Sequence, residues 1–125
     1  MASIDYLKEM LNNRFSDGRL KLRCSTNEDR PSEMKGIYLY YNGQNSFCTQ
    51  TRASYYNNGV QVCVRHNDYD KARTISYNIL EYINENRKTY STVYFDPDSV
   101  PEYLGESENH GGYVWAFNLM LRGGK

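Results

Sequence analysis

The chain has 125 residues, a length at which about two-thirds of the extended-chain surface can be buried, so neither disulfides nor a metal are needed as staples. Hydrophobic residues make up 39 per cent, and 13 tyrosines carry much of the apolar area. Fifteen basic residues balance fifteen acidic ones, which argues against a main task of gripping nucleic acid and removes long-range repulsion between copies.

The length predicts one domain over residues 1–125. The opening MASIDYLKEML carries Asp5 and Glu9 and no long apolar run, so it reads as neither a signal peptide nor a membrane span. Ser3 is placed to cap a first helix whose stripe is Ile4, Leu7, Leu11 and Phe15, and Asp17-Gly18 ends it. Leu20, Leu22 and Cys24 alternate with Arg19, Lys21 and Arg23, which predicts a short strand. The basic side of that strand could touch phosphate, although a solvated face explains it as well. Residues 25–36 are polar and contain Pro31 and Gly36, as a loop does.

Residues 37–41, IYLYY, predict an aromatic strand. Asn42-Gly43 reads as a hairpin turn, with Phe47 opening the returning strand, and Asn57-Asn58-Gly59 reads as a second turn. Val60, Val62 and Val64 alternate with Gln61, Cys63 and Arg65, which is the period of a half-buried strand. Asn67 and Asp68 stop it and offer N-caps to a helix striped by Ala72, Ile75, Ile79 and Ile83 that runs to near Asn86. Thr92 to Phe95 reads as a strand broken at Asp96-Pro97, residues 101–104 as a short extended piece, and residues 105–112 as a polar loop. Tyr113, Trp115, Phe117, Leu119 and Leu121 share one face of a long closing strand. The expected fold is α+β, a mixed and mostly antiparallel sheet with two helices packed on it, in the order α-β-β-β-α-β-β.

No complete catalytic or metal constellation is visible. Cys24, Cys48 and Cys63 are odd in number and none pairs at C-x-x-C spacing, so they read as reduced thiols of a cytosolic product. Cys63 and His66 lie three apart on or at the end of a strand, pointing to opposite faces, and a structural zinc site needs four ligands. Asp96, Asp98 and Glu102 gather near Pro97, but Asp-Pro-Asp at a strand end is usually a turn. Neither His66 nor His110 is placed beside a thiol by the sequence. No phosphate-binding glycine loop, nucleophile elbow or zinc-protease motif is present. The chain is therefore expected to be no enzyme and to need no cofactor.

The segment QVCVR followed by HNDYDKA resembles the "QV-x-VR…DY…A" signature of the minor capsid and tail-completion (tail terminator) proteins of long-tailed phages. The likeness extends in order along most of the chain. Arg30-Pro31 leads into the strand Ile37 to Tyr41, Gln61 to Arg65 and Asp68 to Ala72 carry the central words, and Val93 to Pro97 gives a strand ending at proline. Leu104-Gly105-Glu106 and then Tyr113, Phe117 and Asn118 complete it. The chain departs from the pattern in its tyrosine excess and in Arg65-His66-Asn67, where a glycine often follows the arginine.

The resemblance implies a structural virion protein, a small subunit of a probable hexameric ring that caps the tail tube and joins tail to head. Its implied partners are itself, the tail tube protein and a head connector or stopper, with DNA passing the pore without specific binding and no membrane involved. It implies a place at the head–tail junction of the virion, reached after assembly in the host cytoplasm. Related head-completion and tail-tube proteins share the architecture, and a small cytosolic α+β enzyme or ligand-binding domain is the alternative. The subunit-contact candidates are Tyr38, Tyr40, Tyr41, Tyr55, Tyr56 and Arg65, with the polar segments 25–36 and 105–112 expected to line the pore or to order on docking.

Overall fold

The computed structural model describes residues 3–15, 24–26, 36–48, 55–106 and 112–124. The side chains of residues 3, 24–26, 41–48, 55–57 and 124 lie outside the described set. The element order is α1 (Ser3–Phe15), β1 (Cys24–Thr26), β2 (Gly36–Cys48), β3 (Tyr55–His66), α2 (Tyr69–Glu85), β4 (Val93–Pro97), β5 (Glu102–Glu106) and β6 (Tyr113–Gly124). The fold is α+β. Among the described residues one six-stranded sheet runs in the order β1-β2-β3-β6-β4, with β5 also paired to β6. Among the described strands only the β1–β2 pair is parallel.

β6 organises the sheet. One edge pairs with β3 along its whole length, from His66↔Tyr113 to Tyr55↔Gly124. Its other edge is divided, with β5 against Tyr113–Ala116 and β4 against Leu119–Gly123. The piece expected at 101–104 is thus the paired strand β5, which brings the strands after α2 to three.

The period-two alternation sends Ile37, Leu39, Val60, Val62, Val64, Val93, Phe95, Phe117, Leu119 and Leu121 to one face. Both helices pack there. α1 contributes Ile4, Leu7, Met10, Leu11 and Phe15, and α2 contributes Ile75, Ile79 and Ile83. Full burial of such a side chain stabilises by about 1.5–3 kcal/mol. Phe15 meets Tyr82 edge-on at 5.7 Å between ring centroids, tying the two helices together. Ser76 is also buried on this side of α2, and its hydroxyl is satisfied by donating to the Arg73 carbonyl at 2.8 Å.

Only Asn67 and Asp68 join β3 to α2. Asp68 is the N-cap in an extended conformation, and its carboxylate accepts from the Lys71 N–H at 3.1 Å. His66 is buried and its Nδ1 accepts from the Asp68 N–H at 3.0 Å, which leaves the ring proton on Nε2. Gly112 faces this corner with φ +85°, where a Cβ would lie 3.1 Å from the His66 carbonyl oxygen. Asn86 closes the helix through its N–H to the Ile83 carbonyl.

Two expected turns are strand instead. Asn42-Gly43 lies inside β2, at a register shift between Tyr41↔Val60 and Asn45↔Asn58. Residues 42–44 stand there opposite Gly59 alone, so a bulge absorbs the turn-prone dipeptide and pairing resumes beyond it. Asn57-Asn58-Gly59 lies inside β3 because the backbone is paired on both sides, Asn58 with Asn45 of β2 and Leu121 of β6. Residues 19–23 of the strand predicted over 19–24 lie outside the described residues; β1 shares only Cys24 with it, and Ser25 and Thr26, expected in the following loop, are strand.

Candidate assembly surfaces

Away from the helices, the sheet carries a smaller cluster in which Tyr38, Cys63 and Ala116 are buried and Tyr40 and Val114 pack beside them. Arg65 is buried with it. Its Nη2 donates to the Tyr38 hydroxyl, and its guanidinium lies 4.7 Å from the Tyr38 ring centroid. Tyr40 stacks on Tyr38 at 6.4 Å. Gly36 opposite Arg65 makes room for this arrangement, since a Cβ there would meet the Tyr38 ring at 2.9–3.0 Å. Burial pushes the Cys63 thiol up to about 12, and Cys63 donates to Gln61 Oε1 at 3.3 Å. A thiol held in its neutral form is a poor nucleophile and a poor metal ligand.

Of the expected contact residues, Tyr38, Tyr40 and Arg65 are therefore gathered on one face, with Tyr38 and Arg65 engaged to each other inside the subunit. Tyr41 pairs with Val60, Tyr55 with Cys48 and Gly124, and Tyr56 with Phe47 and Gly123. The side chains of these three lie outside the described residues. So do residues 27–35 and 107–111 of the expected pore loops, whose flanks belong to β1, β2 and β5.

The β4/β5 margin of the sheet carries features that the sequence reading did not single out. Tyr69 at the start of α2 meets Tyr103 of β5 at 5.0 Å, Trp115 at 5.5 Å and Tyr113 at 5.8 Å. The pairing Tyr103↔Trp115 puts these rings together on the helix side. Tyr69 and Tyr103 are about 40 per cent exposed, whereas Trp115 is buried beneath them and its Nε1 has no hydrogen-bond partner among the described residues. Arg73 lies over both Trp115 and Tyr77. Loss of hydration among the rings raises the Tyr103 hydroxyl above its ordinary range, and the charge on Glu106 adds to this.

At the other end of α2, Asp96 of β4 binds two cations, Arg122 Nε at 2.9 Å and Arg87 Nη1 at 3.4 Å. Beside them Lys88, Tyr90, Ser91, Thr92, Val93, Tyr94, Arg122 and Gly123 line an open cleft of about 350 Å³. Asp96 is thus held in an ion-pair network, while Asp98 and Glu102 are exposed, so the three carboxylates do not form a catalytic pair. Among the described residues no three potential ligands gather to hold a metal, and no helix is long and apolar enough to cross a membrane.

A family profile described as bacteriophage tail terminator protein matches residues 12–123. The chain belongs to the bacteriophage tail terminator protein family. The match runs from the second half of α1 to the last residues of β6, so both margins of the sheet fall within it. No curated protein matches the chain. Membership gives this tail terminator family protein a structural role in the phage tail and makes other tail components its partners.

Proposed function

We propose that the chain is one terminator domain over residues 1–125 and that copies of it form a ring, of six, that caps the tail tube. The ring stops tube polymerisation and presents the surface to which the head connector or stopper is joined, at the head–tail junction of the virion. The observation that carries this reading is the terminator family match over 12–123. The composition is in keeping with it. Zero formal charge lets like subunits approach, and a neutral ring lets DNA pass without holding it. The protein acts by binding and geometry rather than by catalysis, without cofactor or metal, and assembles in the host cytoplasm.

Purified protein mixed with tail tube protein and imaged by electron microscopy tests this reading. Tubes of limited length carrying a ring at one end are expected. Tubes that grow to uncontrolled length with no ring at either end would overturn it.

A further inference from the structure

The large apolar side chains exposed among the described residues are Tyr69, Tyr77, Val100, Tyr103 and Leu104. All five belong to α2 or to β5 and the residues leading into it. Tyr69 and Tyr103 are in ring contact, and Arg73 bridges Tyr77 to Trp115. Exposed apolar surface that is gathered rather than scattered marks a contact site. Trp115 lies buried beneath Tyr69 and Tyr103 and backs these rings.

The opposite end of α2 has complementary chemistry. The cleft of about 350 Å³ is walled by Tyr90, Val93 and Tyr94 and edged by Lys88 and Arg122, with no carboxylate in its lining. Ser91 and the neighbouring backbone carbonyls supply acceptors there. Around the aromatic patch the exposed acids are Asp68, Asp70, Glu102 and Glu106, against the exposed cations Lys71 and Arg73. Around the cleft, Arg87, Lys88 and Arg122 face Asp96, with Glu85 at the end of α2 and Glu9 acting on Tyr90. The patch takes the first half of α2, through Tyr77, and the cleft begins at Lys88, 11 residues further along the chain. They do not overlap, and a contact between two different surfaces of like subunits is the kind that closes into a ring.

We propose that the aromatic patch of one copy docks in the cleft of the next. Leu104 and Tyr103 enter the cleft, and Glu106 meets Lys88. This deepens the ring reading and rests on it.

The test uses Leu104→Asp, which spoils the patch, and Lys88→Glu, which spoils the cleft. Mass is followed by sedimentation, free in solution and on tail tube ends. Each variant alone should lose the oligomer while keeping the melting temperature of the unaltered protein. An equal mixture should give dimers and nothing larger, because each copy retains one competent surface. If Leu104→Asp proves poorly folded, Glu106→Lys replaces it, and combining Glu106→Lys with Lys88→Glu on one chain should restore the oligomer. Variants that assemble as the unaltered protein does, or a mixture that stays monomeric, would overturn the patch-to-cleft contact and leave the ring reading standing. Unaltered protein that stays monomeric both in solution and on tube ends would overturn both.

Discussion

The helix-covered face of the sheet and the β4/β5 margin follow different rules. On the covered face the exposure of Leu39, Val62, Phe117 and Leu119 is at or near zero, and β2, β3, β4 and β6 contribute apolar residues in strict alternation. At the margin, rings and charges sit half in water. Tyr69 and Tyr103 are exposed, Arg122 and Arg87 share Asp96, and β4 and β5 pair on one side only, with β6, among the described residues. The first region is what makes the chain fold. The second adds little to folding and concentrates the features a neighbour can recognise, so substitutions should separate stability from assembly.

The largest stability effect is expected in the covered face. Ile79→Ala removes a fully buried side chain in the middle of the α2 stripe and should cost about 2–5 kcal/mol in chemical denaturation. On the other face, Arg65→Met leaves the Tyr38 hydroxyl without that donor and should cost about 1–3 kcal/mol. Asp68→Ala removes one cap and should cost about 1 kcal/mol, clearly less than Ile79→Ala. If the cap substitution were the more damaging, the assignment of the buried face of α2 would be wrong. At the margin, Leu104→Asp should change stability by no more than about 0.5 kcal/mol.

Alkaline pH probes the Tyr38 side of the sheet. The folded chain raises the Cys63 thiol from 9.0 to about 12, so it holds that proton more tightly than the unfolded chain does. The stabilisation is complete below pH 9.0 and is lost as pH rises toward 12. In Cys63→Ala this loss should be missing, so the variant's stability should fall less steeply over that window than that of the unaltered protein. Tyr90 and Tyr103, whose hydroxyls are also raised, titrate alike in both proteins and cancel in the comparison.

What was legible in the sequence follows the same division. The α2 stripe, its Asp68 cap and the alternation in β3 and β6 are local patterns imposed by burial on one face, and the structure repeats them residue for residue. Turn chemistry is a local preference that the sheet overrides: Asn57 and Asn58 are paired on both sides, and Asn42-Gly43 is taken up in a bulge between paired stretches. The aromatic patch was hidden for another reason. Residues 69, 103, 113 and 115 are brought together only by the register of β5 on β6 and by the angle at which α2 leaves β3. Tyr113 and Trp115 were placed on one face of the closing strand, but nothing local in the sequence marks Tyr69 and Tyr103 as their neighbours. The sequence marks Arg65 as a contact residue, whereas its burial against Tyr38 depends on Gly36 lying across from it.

Hydrogen exchange on the protein free and bound to tail tube ends tests the division between core and margin most directly. The amides of β3, paired on both sides, should exchange slowly and equally in both states. Those of residues 88–94 and 102–106 should gain protection on the capped tube, because the contact covers the cleft and β5 together. Capped tubes on which both segments exchange as they do in the free protein would contradict the account.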